Sequence, residues 1–166
     1  MTLLQAGDTA PPFCLAGDSG RTVDSAKLKG KRYLVYFYPK DDTPGCTREA
    51  CAFRDKLPAF EDLGVPIFGV SADEPGKHDR FVRKHSLNVP LLSDPEHTLL
   101  DAYGVWVEKS LYGRKYFGIQ RSTFLVDARG RIEKTWEKVS PDSHAADVVD
   151  YLSGAKQAPK KKTRSR

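Results

Sequence analysis

The chain is poor in cysteine and methionine, with three Cys and one Met among 166 residues. Three thiols are too few to build a disulfide scaffold. Placed at 14, 46 and 51, they match neither a Cys-x-x-Cys redox motif nor the paired spacing of a zinc site. A disulfide oxidoreductase, which would normally carry Cys-x-x-Cys, is therefore disfavoured. Histidine is also scarce near these thiols, the nearest being His78. Long apolar runs are missing. The longest, around residues 33–38 and 65–70, are far too short to cross a bilayer. The opening Met1–Asp8 has no basic start and no sustained apolar stretch, so no secretory signal is read there. The expected compartment is the cytoplasm, where thiols stay reduced. No internal repeat is visible.

Acid is missing from the carboxyl terminus. Lys156, Lys160, Lys161, Lys162, Arg164 and Arg166 crowd residues 155–166 with no Asp or Glu among them. Subtracting these six charges from the net +5 leaves −1 on residues 1–154. The alkaline balance belongs to the tail, not to a basic folded face. Such a run can make salt-dependent phosphate contacts, but a solvated tail is the commoner role. Nucleic-acid binding is therefore the weaker reading. With almost no apolar content, residues 155–166 are expected to be a disordered basic tail after one domain spanning 1–154.

What is present reads as strands alternating with helices. Short strands are expected at Phe13–Leu15 and Arg21–Val23, joined by the turn-rich Gly17–Gly20, with a short helix from Asp24 to Gly30. Tyr33–Tyr38 is continuously apolar, as in a strand covered on both faces. A loop through Asp41–Gly45 then enters a helix bearing Ala50, Phe53 and Leu57 on one face. Pro58 should kink or break it, and Gly64 stops it. Further on come a strand at Val65–Ser71, a helix over Pro75–His85 capped by Asp73, and a strand at Pro90–Ser93. A helix is expected from Asp94-Pro95 to Gly104. A hairpin flanks Asp127–Gly130, between Ser122–Val126 and Arg131–Trp136. Ser140-Pro141 opens a last helix closing at Gly154. The pattern indicates an α/β sheet layered by helices.

The chemically informative stretch is Tyr38-Pro39-Lys40-Asp41-Asp42-Thr43-Pro44-Gly45-Cys46-Thr47-Arg48-Glu49-Ala50-Cys51. Thr43 suits an N-cap and Pro44 the first helical position, which puts Cys46 inside the first turn. Unpaired backbone N–H groups and the positive end of the helix dipole favour an anionic sulfur there, and the thiolate is the reactive form. The Thr43 hydroxyl is close enough in sequence to reach that sulfur or an oxygen substrate. Cys51 lies five residues on, so an unbroken helix separates the two Cα atoms by roughly 8–9 Å. A disulfide usually needs them within about 7 Å. Either the pair never bonds, or the first turn must unwind, which Gly45 makes easier. A small buried hydrophobe is the plainer role for any cysteine. It suits Cys14, between Phe13 and Leu15, and stays open for Cys51, but fits Cys46 poorly among Pro, Gly and Thr.

Pro39-x-x-x-Thr43-x-x-Cys46 resembles the active-site motif of the peroxiredoxins. The longer string Tyr36–Cys51 is similar to their bacterioferritin comigratory protein, or Q-type, branch. Gly7-Asp8-x-Ala10-Pro11-x-Phe13, Phe68–Ser71, Leu92–Asp94 and Arg121–Asp127 follow in the expected order, so the resemblance covers roughly residues 3–153. It implies a thioredoxin-like fold: a central mixed sheet flanked by helices, with an N-terminal β-hairpin extension. It also implies a thiol peroxidase in which Cys46 is the peroxidatic and Cys51 the resolving cysteine. Thr43 and the Cys46 N–H would bind peroxide oxygens, Pro39 would shield the pocket, and Arg121 would bind substrate and steady the thiolate. From the residues alone, Arg121 reads as a solvated strand-end charge, and Glu49, which could orient it, as an exposed helical acid. The implied partners are a hydroperoxide and a thioredoxin-like dithiol reductant. No metal or organic cofactor is implied, and the branch is often monomeric. Cys14 matches no family role.

Overall fold

The computed structural model describes residues 2–154, so the basic segment 155–166 lies outside the described residues. In chain order the elements are β1 (Cys14–Ala16), β2 (Thr22–Asp24), β3 (Tyr33–Phe37), α1 (Pro44–Leu63), β4 (Ile67–Ser71), α2 (Pro75–His85) and β5 (Leu91–Ser93). Then follow α3 (Thr98–Tyr103), β6 (Trp106–Leu111), β7 (Arg114–Ile119), β8 (Ser122–Val126), β9 (Ile132–Glu137) and α4 (His144–Leu152).

The central sheet has the order β5-β4-β3-β8-β9. The β3–β4 and β4–β5 pairs are parallel, whereas β8 runs antiparallel to both β3 and β9. β3 sits in the middle and buries every residue, which is why its sequence is apolar throughout. Its alternate side chains face opposite cores. Leu34 and Tyr36 pack with Phe53 and Phe60 of α1, Phe81 of α2 and Val148 of α4. Tyr33, Val35 and Phe37 pack with Phe13, Phe124 and the α3 residues Leu99, Leu100 and Tyr103. The β1–β2 hairpin lies at the open edge of β5: Gly17 bridges to Leu92, and Asp18 Oδ1 accepts the Leu91 N–H at 2.8 Å. The edge strand is thereby covered.

Several local expectations shift. Pro58 does not break α1, which runs unbroken to Leu63. Its missing N–H would have served the Arg54 carbonyl, which instead accepts from Asn88 Nδ2 at 3.4 Å. The cap of α2 is Glu74, not Asp73, whose carboxylate accepts from Ser71 Oγ and the Asp41 N–H. α3 starts only at Thr98, because His97 takes a left-handed conformation (φ +66°), yet Asp94 still accepts the Leu100 N–H at 2.8 Å. α4 likewise begins at His144 rather than beside Pro141. The segment after Asp24 is a 3-10 turn, Ser25–Leu28. The β6–β7 hairpin is not among the strands expected from sequence. Its two-residue turn needs positive φ at both positions and uses Tyr112 and Gly113, at +53° and +79°.

Candidate functional site

α1 begins as its sequence demands, with Thr43 at the N-cap and Pro44 in the first turn. The Thr43 hydroxyl does not cap the helix. It turns back and donates to the Lys40 carbonyl at 2.9 Å, tightening the loop that Pro39 opens. Cys46 is buried at 2 % exposure, facing β3 with Ala50 and Phe53.

Arg121 enters this turn from the residue preceding β8. Its Nη2 lies 3.3 Å from Cys46 Sγ, and its Nη1 donates to Glu49 Oε1 at 2.6 Å. One guanidinium fork thus holds the sulfur and a carboxylate one helical turn apart. Gly45 makes room for it: a Cβ there would sit 3.3 Å from Arg121 Nη2. Neither Arg121 nor Glu49 is the solvated charge that sequence alone describes. The Glu49 side chain is 1 % exposed and that of Arg121 15 %. Burial pushes the Glu49 carboxyl up to about 7, with Arg121 pulling the other way. Burial also opposes the charge of Arg121, but Glu49 and Cys46 outweigh it and raise its pKa.

Three further groups surround this pair, and the sequence gives none of them a site role. Tyr36 stacks on Phe53 at 4.5 Å between ring centroids, and burial followed by the Glu49 charge raises its pKa well above the usual value. His144 lies edge-on to Phe53 and Trp136, with Nε2 2.7 Å from Thr123 Oγ1. Burial, aided by the positive Arg121, lowers its pKa to about 4, so it is neutral at physiological pH. The stem of Lys109 crosses Gly118, and its Nζ donates to the Ile119 carbonyl at 2.5 Å, two residues before Arg121. Tyr36 is marked in the sequence only as part of a buried strand and of the Tyr36–Cys51 string, and Lys109 and His144 not at all, because each is brought in by a different strand or helix.

The remaining sites expected from sequence are distributed unevenly. Cys51 is half-buried on the same unbroken helix and packs against the core; all three cysteines are free thiols. Pro39 is half-buried at the start of the loop. Cys14 is exposed on β1, contrary to its expected burial, because its neighbour Phe13 supplies the inward side chain there. A surface groove of about 510 Å³ runs among Thr9, Pro11, Asp24, Tyr33 and Arg129 and includes none of the residues around Cys46. Size does not mark the site here; convergent charge on a sulfur does.

The profile of the AhpC/TSA family matches residues 6–135. Peroxiredoxin Bcp of Bacillus subtilis (strain 168) is 48% identical over 149 residues, 90% of this chain and 95% of that protein. Peroxiredoxin Bcp of Escherichia coli (strain K12) is 44% identical over 152 residues, 92% of this chain and 97% of that protein. Peroxiredoxin Q of Xanthomonas campestris superposes with a TM-score of 0.83 at 38% identity, covering 92% of this chain and 96% of that one. A bacterioferritin comigratory protein from the same organism, studied for alkyl peroxide reduction, gives a TM-score of 0.83 at 37% identity over 92% and 97%.

Proposed function

The chain belongs to the AhpC/TSA family, in its peroxiredoxin Bcp and Q branch, with the thioredoxin-like fold and thiol peroxidase activity of that branch, and on that premise we propose that Cys46 is its peroxidatic and Cys51 its resolving cysteine. The observation that carries this reading is the Arg121 fork, 3.3 Å from the sulfur and anchored on buried Glu49.

The Cys46 thiolate attacks one oxygen of a hydroperoxide in line with the O–O bond. The electron pair of that bond leaves on the distal oxygen, which takes a proton and departs as water or alcohol. Cys46 is left as a sulfenic acid. Arg121 and the backbone N–H groups of the first turn supply fixed donors where charge develops on oxygen, the Thr43 hydroxyl, whose proton goes to the Lys40 carbonyl, can accept the O–H of the hydroperoxide, and Pro39 shields them from water. The Cys51 thiolate then attacks the Cys46 sulfur, expelling hydroxide, which is protonated to water, and the S–S bond forms. A thioredoxin-type dithiol returns both thiols by exchange and is itself oxidised to a disulfide.

Resolution requires the first turn of α1 to open, since the helix holds the two Cα atoms roughly 8–9 Å apart. The contacts at that turn support such an opening. Arg48 pairs with Asp142 at 2.6 Å, but both side chains are more than half exposed and the pair is weak. The opening also lifts Cys46 out of the core and away from Arg121, while Phe53 and Phe60 hold the rest of the helix in place.

Among the described residues no helix is long and apolar enough to cross a membrane. We place catalysis in residues 1–154, acting as a monomer in the cytoplasm, with the basic segment 155–166 outside the catalytic unit. Truncating that segment is expected to leave turnover unchanged.

The test uses thioredoxin-coupled turnover and intact mass. Cys46→Ser is expected to abolish peroxide consumption, and retained activity overturns the assignment. Cys51→Ser should allow one oxidation and then stall. Stoichiometric peroxide should remove two hydrogens from the wild-type mass; a stable added oxygen would argue for one-cysteine chemistry.

A further inference from the structure

A second buried polar cluster lies on the other side of the Cys46 loop, and the chemistry above does not use it. Tyr38 Oη donates to Asp41 Oδ1 at 2.6 Å. His78 Nδ1 lies 2.6 Å from Asp41 Oδ2, and His78 Nε2 lies 2.9 Å from the Leu92 carbonyl. The Asp41 and His78 side chains are both fully buried. A carbonyl oxygen only accepts, so Nε2 carries a proton, and Nδ1 faces a carboxylate that favours a second. Burial works against the charge on His78, but Asp41 outweighs it and raises the pKa of the ring. The other charged groups at the cluster are Asp73, whose Oδ2 accepts the Asp41 N–H at 2.7 Å, and Lys77, 3.3 Å from Asp73 Oδ1. Asp41, Asp73 and His78 are spaced like metal ligands. However, the Asp41 carboxylate and the Leu92 carbonyl already occupy both ring nitrogens.

The position of this cluster gives it a role. Tyr38, directly after β3, and His78, on α2, hold Asp41, and Leu92 on β5 holds His78 in turn. Asp41 follows Lys40, whose carbonyl holds the Thr43 hydroxyl, and Pro39 precedes both. Between Asp41 and Cys46 the ion pairs are exposed or part-exposed, Asp42 with Lys84 and His85, until the chain is buried again at Cys46, where Arg121 meets it. Asp41 is therefore the last buried anchor before the first turn of α1.

We propose that Asp41 and His78 are positioning residues that anchor the Cys46 loop, holding Pro39–Thr43 in the peroxide-reactive arrangement so that unwinding for disulfide formation begins only after Asp41. This rests on the assignment of Cys46 and Cys51 given above. Releasing the anchor removes part of the reactive, wound population without removing any group that touches peroxide. Peroxide attack slows, while disulfide formation, which needs the unwound turn, does not.

The test follows both steps by stopped flow in full-length Asp41→Asn and His78→Gln variants. Oxidation of Cys46 is expected to fall about tenfold or more, the size of effect a small misplacement produces, with disulfide formation unchanged or faster. Equal slowing of both phases, or no change in either, overturns the anchor. Nitrogen-15 NMR of the wild type keeps the idea testable if the variants do not fold. In a pH titration the His78 ring should keep its second proton above the pH at which an ordinary histidine loses it, and loss at or below that pH overturns the proposal. A wild type whose Cys46 is not oxidised by peroxide at all would instead overturn the peroxidatic reading beneath it.

Discussion

Two buried ionic clusters flank the start of α1, one on each side of the Cys46 loop, and they are completed differently. Around His78 every polar side-chain atom has a partner: both ring nitrogens, both Asp41 oxygens and the Tyr38 hydroxyl. Around Arg121 the arrangement is left open. Glu49 Oε2 and the Tyr36 hydroxyl are buried with no protein partner among the described residues, and Arg121 remains partly exposed. Buried polar groups are normally satisfied, so an open cluster needs a reason. The closed cluster holds backbone in place. The open one retains hydrogen-bonding capacity beside a sulfur, and that is where chemistry can occur.

The strongest test of this contrast is Arg121→Met, which removes the donor to Cys46 and strands Glu49 together. The rate of Cys46 oxidation is expected to drop roughly 10²–10³-fold, as when a fixed donor is removed from an oxyanion site. Stranding a buried charge ordinarily costs about 3–5 kcal/mol. The loss in urea unfolding should be smaller, because Glu49 already titrates near 7 and can take a proton. A rate within twofold of wild type would show that the fork is not what makes the site reactive.

A smaller effect separates the clusters by pH. The folded pKa of Glu49 is raised from 4.5 to about 7, so the folded protein holds a proton that the unfolded chain has released. The stability from that proton is complete below about 4.5 and disappears as pH rises to about 7. Compared with Glu49→Gln, the wild type should therefore lose stability across that window in denaturant titrations. A constant difference between the two would mean that Glu49 ionises as an ordinary carboxyl.

The smallest effect concerns the loosely held turn. Arg48→Ala breaks an exposed pair and should cost about 0.2–1 kcal/mol. It should also speed disulfide formation after Cys46 oxidation by up to about fivefold, the same free energy expressed as a rate. Slower disulfide formation would show that this pair does not restrain unwinding.

Legibility from sequence followed the range of the interactions involved. Thr43-Pro44 marked the start of α1 because the fit of proline to a first helical turn is local, and Asp127–Gly130 marked the β8–β9 hairpin because turn chemistry is local too. Pro58 misled because the partner of its orphaned carbonyl, Asn88, lies 34 residues along the chain. The β6–β7 hairpin was hidden because a tyrosine occupies a turn position where asparagine or aspartate is the usual signal. Glu49 and Arg121, 72 residues apart, read as surface charges until folding brought them together.

The sequence by itself determined the place of Cys46 in the first turn of α1, the two-sided burial of β3, and through its ordered motifs the family. These depend on neighbours a few residues apart or on an unbroken apolar pattern. Only the tertiary structure decided what surrounds Cys46: a guanidinium from before β8, a carboxylate pushed towards neutrality by burial, and a histidine from α2 locked on Asp41. Charge at long sequence separation acquires its meaning from burial and direction, and both arise only when the sheet and its helices close.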